Sequence, residues 1–104
     1  MARTLRPRVP VDPYVLDVLM ADLVGHDRQP SAFLVYLRLW RLTGGGRRLS
    51  DALSLRRLSD ETGVSKRAVQ DAVDRLERRR LIEVNRASPT AVPTYRVLTP
   101  WIRE

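Results

Sequence analysis

The sequence contains no cysteine and a single histidine. Without cysteine there can be neither a disulfide nor a cysteine-ligated zinc site, so a hydrophobic core must hold the fold together. The lone His26 has no second ligand near it in sequence and is assigned to a surface loop. Paired carboxylates in an apolar setting and a nucleotide-binding loop are also missing, and a catalytic site needs such groups. We therefore predict a protein that is not an enzyme and that holds neither a metal nor a cofactor.

Long apolar runs are absent as well. No run approaches the roughly 20 residues that a membrane helix requires, and no apolar stretch of a secretory signal follows the basic N-terminus. The 104 residues, 43% of them hydrophobic and 30% charged, suit one globular domain. We expect a cytoplasmic, nucleoid-associated protein without membrane contact. Residues 1–11 are predicted to form a mobile basic arm and residues 12–104 a single domain.

The positive charge is unevenly distributed along the chain. The formal net charge is +7, and the four arginines and four aspartates of residues 1–30 cancel. The whole excess therefore lies after Pro30. Such a field favours a polyanionic partner, of which nucleic acid is the commonest in a cytoplasm. An arginine-rich surface also follows from genomic composition, so charge alone leaves both interpretations open.

Two apolar helices are predicted in the first half of the chain. Asp12 is a suitable N-cap, proline follows it at the first helical position, and Gly25 is a stop signal. A second helix over residues 32–42 is predicted to be capped by Ser31. Each helix has more apolar side chains than a single buried face can hold. A second face of each helix must therefore be buried too, either in the chain's own core or against another subunit.

A pair of shorter helices follows, with clear boundary signals. Ser54 can cap a helix over residues 55–62, Gly63 can take the positive φ of a turn, and Ser65 can cap a helix over residues 66–79. The inward stripe of the second of these helices is predicted to consist of Ala68, Val69, Ala72, Val73 and Leu76. Two short helices joined in this way form a helix-turn-helix, whose second helix enters the DNA major groove.

The remaining chain predicts a small β-hairpin. Residues 81–84 and 95–98 are β-prone and flank a long tip, which is the geometry of a wing. A third short strand is predicted near residues 52–53. The apolar Trp101 and Ile102 are expected to pack back on the helices or on a partner. The predicted fold class is α+β and mostly α: a winged helix-turn-helix with an extra N-terminal helix and a small β-hairpin wing.

The stretch from Leu76 to Val84 resembles the helix end and strand entry of winged helix-turn-helix regulators such as the MarR and GntR groups. The resemblance covers about half of the chain, from Leu53 to Leu98, and implies a DNA-binding transcription regulator. The sequence departs from that pattern at Ser59, where many relatives have alanine, and at Arg80, where many have glycine. Ser59 is still small enough for close helix contact, and Arg80 would cost about 1 kcal/mol if its φ is positive.

The N-terminal end of the second motif helix carries the predicted base-reading residues. Arg67 can form a bidentate contact with guanine and Gln70 one with adenine, while Ser65 and Lys66 suit phosphate. Asp71 and Asp74 are repelled by phosphate unless they accept from cytosine or orient an arginine, so they favour specific over indiscriminate binding.

Further arginines are candidates for contacts to the DNA backbone. These are Arg47, Arg48, Arg56 and Arg57, with Arg86 in the wing near a phosphate or the minor groove. Each of them is equally well explained as a solvated side chain. The three arginines at positions 78–80 close the helix and are assigned mainly to its stabilisation.

The sequence thus predicts sequence-specific double-stranded DNA binding as a transcription regulator, in the form of a homodimer joined through the first two helices. The surplus of apolar side chains in those helices motivates the dimer, and helices that merely wrap the motif within one subunit are the competing interpretation. The alternative function is an interaction or DNA-binding module of replication or partition machinery, because a fold does not dictate its function.

Overall fold

The structure is a computed structural model that describes residues 8–102. Its elements are helix α1 (residues 13–26), α2 (Pro30–Leu42), α3 (Leu55–Thr62), α4 (Lys66–Arg78), strand β1 (Ile82–Asn85) and strand β2 (Thr94–Val97). Four helices followed by an antiparallel hairpin confirm the predicted fold class. Residues 1–7 of the predicted arm lie outside the described residues, and the division at residue 12 stays a prediction. Within residues 8–102 no helix is long and apolar enough to cross a membrane.

Helix α1 begins as predicted but ends one residue later than predicted. The Asp12 carboxylate accepts a hydrogen bond from the Tyr14 amide at 2.8 Å, which caps the helix. The prediction of a stop at Gly25 is wrong, because the helix continues to His26 and is wound as a π-helix over Val15–Leu19 and Ala21–His26. Side chains at every fourth position of the helix face the core. Those buried side chains are Val15, Leu19 and Leu23.

Helix α2 begins earlier than the sequence indicated. Its N-cap is Gln29, whose side chain makes no capping hydrogen bond, and Pro30 takes the first helical position. The predicted Ser31 cap is therefore wrong: Pro30 has the fixed helical φ that suits the first helical position, so Ser31 lies inside the helix. The helix packs against α1, α3, α4 and β2, and so forms the centre of the core.

The motif helices bury the predicted stripe. Leu58 of α3 is buried, and α4 contributes Val69, Ala72, Val73 and Leu76 to the core, while Ala68 is half-buried. Helix α4 ends at Arg78, one residue earlier than predicted. Its apolar face is therefore held by α2 and α3, and its opposite face is free for a partner.

The wing is a two-stranded antiparallel hairpin in which Ile82 lies opposite Val97. The prediction of a third strand near residues 52–53 is wrong for the described chain, although that segment runs beside β2. The amide of Leu53 donates to the Pro93 carbonyl and that of Ser50 to the Tyr95 carbonyl, both at 2.9 Å. The return bond, from the Tyr95 amide, goes to the Ser50 side-chain hydroxyl at 2.9 Å. A side chain thus takes the position of a backbone carbonyl, and no regular ladder forms.

Both ends of the described chain pack on the helices. The Trp101 ring stacks on Tyr14 with centroids 4.5 Å apart, and its indole N–H donates to the Asp12 carboxylate at 3.3 Å. The indole N–H of Trp40 donates to the Pro10 carbonyl at 2.9 Å. The Trp101 ring also stacks against that of Trp40 in α2, with centroids 6.5 Å apart, so Trp101 packs on the chain's own α1 and α2.

Candidate nucleic-acid interface

The turn that joins α3 to α4 is fixed by local hydrogen bonds at its two caps. The Ser54 hydroxyl accepts from the Arg57 amide at 3.0 Å, and the Ser65 hydroxyl accepts from the Ala68 amide at 3.1 Å. Gly63 between them has a φ of 80°, in the left-handed region. All three predicted boundary signals are confirmed. They hold the start of α4 at a fixed angle to α3.

The first turn of α4 is basic and exposed. Ser65, Lys66 and Arg67 are all exposed, and the Arg67 side chain retains 88% of its accessible surface. Gln70, one turn further, is half-buried. The four residues predicted to meet bases and phosphates therefore lie together at the N-terminal end of the helix.

The middle of the same solvent-facing side is acidic. Asp71, Asp74 and Glu77 are exposed there. The Arg67 guanidinium lies 3.8 Å from the Asp71 carboxylate, and the Gln70 amide donates to Asp74 at 2.9 Å. These acids lower the positive potential along the middle of α4, so phosphate is attracted most strongly at its N-terminal end.

A basic patch lies on α2 and α3 beside this helix. The Glu61 carboxylate accepts from the guanidinium of Arg57 at 2.9 Å and from that of Arg38 at 3.0 Å. The hydrogen bond from Arg57 holds the pKa of Glu61 below its usual value, so the pair stays ionised. Arg56 is exposed on the same helix, and Arg41 lines a groove with Arg38.

Sequence reasoning found Arg56 and Arg57 but missed Arg38 and Arg41. The periodicity of α2 shows which of its faces is apolar. It does not show which helix lies beside the polar face, so the sequence could not indicate that Arg38 and Arg41 lie close to α3.

Two of the predicted backbone contacts lie elsewhere. Arg47 follows α2 and lines a cleft with Pro10, Trp40 and Ile102, while the Arg48 guanidinium lies over Gly44. Within residues 8–102 no hydrogen bond or ion pair joins either side chain to α3 or α4. The structure thus groups them with the end of α2 rather than with the motif.

The wing carries two exposed arginines. Arg86 begins the tip, as predicted from the sequence. Arg96, which sequence reasoning missed, lies on β2 opposite Glu83, with 3.4 Å between their charged groups. The alternating pattern of β2 predicts only that this side chain faces solvent.

The C-terminal end of α4 is held by the end of α1 and by the loop between α1 and α2. The Arg79 guanidinium lies 3.0 Å from the Asp22 carboxylate, and that of Arg75 donates to the Gln29 side chain at 3.1 Å. The Asp27 side chain, only 5% exposed, lies 3.3 Å from Arg79. These contacts give Arg75 and Arg79 a structural role.

The same loop brings Arg28 into a cleft beside α4. Arg28 is exposed, has a positive φ of 54° and shares the cleft with Asp71, Asp74 and Arg78. In the sequence, Arg28 lies in a polar loop between two helices, and nothing there indicates that it lies beside α4. Arg80, the predicted departure after α4, also has a positive φ, at 58°.

Fold and surface together define a winged helix-turn-helix protein. The chain belongs to the helix-turn-helix domain family, whose model matches residues 29–82. That range runs from the N-cap of α2 to the first residue of β1 and contains the three helices α2, α3 and α4. No curated protein and no solved structure matches the chain.

Proposed function

We propose that this protein is a sequence-specific double-stranded DNA-binding transcription regulator that inserts the N-terminal end of α4 into the major groove. The observation that carries the proposal is the exposed, basic first turn at Ser65, Lys66 and Arg67, held by a capped turn. Membership of the helix-turn-helix family supports DNA binding. We also propose that the protein has a regulatory role and a cytoplasmic, nucleoid-associated location. Its proposed closer relatives are the MarR and GntR groups.

The proposed division of labour separates base reading from backbone contact. Arg67 reads guanine and Gln70 reads adenine, because their side chains match the acceptors and donors of those bases in the major groove. The proposed backbone contacts are Ser65, Lys66, Arg56 and Arg57 near the reading helix, and Arg47, Arg48 and Arg86 further along the duplex.

The protein is proposed to bind as a homodimer. One recognition helix reads too few base pairs for useful specificity, whereas two related by a two-fold axis read half-sites about one helical turn apart. The outer side of α1 supports this, since it exposes an apolar stripe at every fourth residue, beside the stripe that faces the core. The exposed stripe consists of Leu16, Met20 and Val24.

A second function is favoured by the acidic middle of α4. Asp71, Asp74 and Glu77 would be repelled by phosphate if the helix lay deep in the groove along its whole length. In a module of replication or partition machinery, the same face would contact a protein instead.

Selection of bound sequences from a pool of random duplexes tests the proposal. We expect one enriched motif with two half-sites about 10 base pairs apart. The double variant Lys66→Ala/Arg67→Ala should enrich no motif while remaining folded, because both side chains are exposed. If the wild-type chain enriches no sequence, the transcription-regulator proposal is wrong and the interaction module is favoured.

A further inference from the structure

Gln70 and Asp74 form a hydrogen-bonded pair on the solvent-facing side of α4. The side-chain Nε2 of Gln70 donates to Asp74 Oδ1 at 2.9 Å. An ionised carboxylate can only accept hydrogen bonds, so the amide must turn its NH₂ group and not its oxygen toward Asp74. Among the described residues, the Gln70 side chain has no other hydrogen-bond partner.

This pairing leaves Gln70 with one free N–H and one free carbonyl oxygen. Adenine presents one acceptor and one donor in the major groove, N7 and the N6 amino group, which match these two groups. Guanine presents two acceptors, N7 and O6. An unrestrained amide can offer both of its N–H groups to guanine, whereas an amide already bound to a carboxylate can offer only one.

We infer that Asp74 is a positioning residue, which holds the Gln70 amide so that adenine is selected over guanine. The inference rests on the proposed function. It also gives a reason for an exposed carboxylate on the reading side of a chain with a net charge of +7. The negative charge of Asp74 weakens attraction to phosphate, but its hydrogen bond restricts which base Gln70 can contact.

A double-mutant cycle on base preference tests this role. Dissociation constants are measured for the selected duplex, for the same duplex with A·T replaced by G·C at the position read by Gln70, and for a random duplex. That position is identified as the base pair at which the Gln70→Ala variant no longer shows a sequence preference. The proteins are the full-length wild type, Asp74→Ala, Gln70→Ala and the double variant.

Asp74→Ala should lower the preference for adenine over guanine about five- to tenfold when Gln70 is present. With Gln70→Ala already in place, it should change the preference by less than about twofold. Affinity for the random duplex should rise in both backgrounds, because a negative charge is lost. Asp17→Ala, the same change of charge on the exposed side of α1, is the matched control and should leave the preference unaltered.

The outcomes separate the inference from the proposed function. An adenine preference that survives Asp74→Ala overturns the inference alone. An equal loss with and without Gln70 also overturns it, since Asp74 would then contact the base itself. If the wild-type chain binds no duplex, or binds all duplexes alike, the proposed function fails and the inference fails with it.

Discussion

The hydroxyl of Ser59 donates a hydrogen bond of 2.6 Å to the backbone carbonyl of Val64, across the turn between α3 and α4. The Ser59 carbonyl in turn accepts from the Gly63 amide at 2.9 Å. One residue of α3 therefore holds both sides of the turn. Since alanine would lack the first of these bonds, Ser59 adds rigidity where the proposed base-reading residues begin, and a binding surface needs such support.

The backbone conformation of Gly63 gives the first prediction. A Cβ at this position meets no atom within 4 Å, so the cost of Gly63→Ala comes only from its φ of 80°. We expect the free energy of unfolding to fall by about 1–2 kcal/mol in urea denaturation. Gly25→Ala is the matched control: the site in α1 is equally open, and alanine should stabilise the helix by up to about 1 kcal/mol. Equal losses at the two glycines would contradict this explanation.

Exposed side chains of α4 and α3 should affect DNA binding in different ways. Arg67→Ala should reduce affinity for the selected duplex by about 1–3 kcal/mol and relax the preference at one base pair. Arg56→Ala, at an exposed position of α3, should weaken all duplexes alike, as loss of a phosphate contact does. Fluorescence anisotropy with selected and random duplexes distinguishes the two. If Arg67→Ala weakens both duplexes equally, Arg67 does not read a base.

Stability should fall at alkaline pH because of buried tyrosines. The Tyr36 hydroxyl donates to the Leu98 carbonyl at 3.0 Å, and burial raises the pKa of Tyr36 and, by the same cause, the pKa of Tyr95. A raised pKa in the folded state means that the stability is fully present below the ordinary value of about 10 and is lost as the pH rises above it. Between its ordinary pKa and its raised folded-state pKa, each tyrosine lowers the free energy of unfolding by about 1.4 kcal/mol per pH unit.

Urea denaturation of Tyr36→Phe over the alkaline range checks this pH dependence. At neutral pH the variant should have a free energy of unfolding about 1 kcal/mol lower, because the hydrogen bond of the hydroxyl is lost. At alkaline pH its free energy of unfolding should fall less steeply with pH than that of the wild type, because one ionisable tyrosine has been removed. An alkaline slope identical to that of the wild type would exclude Tyr36 as a cause.

The boundaries of the motif were predictable because each is decided within a few residues. Ser54 and Ser65 cap through amides three positions away, and Gly63 needs only its own backbone freedom. The pairing of Arg38 with Glu61 and the clamp of Asp22 on Arg79 join residues that are distant in sequence. No local pattern encodes which helix lies beside which, so these contacts required the structure.

The failed predictions have the same origin. The sequence near residues 52–53 suits a strand, but the Ser50 side chain takes the place of a ladder carbonyl opposite Tyr95. In α1, the helix continues past Gly25 to His26, although glycine is a common stop signal. The intrinsic propensities of these residues do not predict either outcome, because tertiary contacts override them.

Two neighbouring leucines of α1 test the proposed dimer. Leu19 is 3% exposed and belongs to the core, while Leu16 is 47% exposed. Leu19→Glu should therefore lower the free energy of unfolding by about 3–5 kcal/mol. Leu16→Glu should leave the chain folded and convert a dimer to a monomer in sedimentation equilibrium at micromolar concentration. A wild-type mass of one chain throughout would refute the dimer.

The affinity of the full chain for its selected duplex as a function of salt concentration tests the central claim most directly. If about 4 to 6 phosphates are contacted by each subunit, log affinity should fall with log salt at a slope of about −4 to −5 per subunit. Arg56→Ala should make that slope shallower by about 1. A flat response, or no binding even at low salt, would contradict DNA binding by this surface and favour a protein partner for α4.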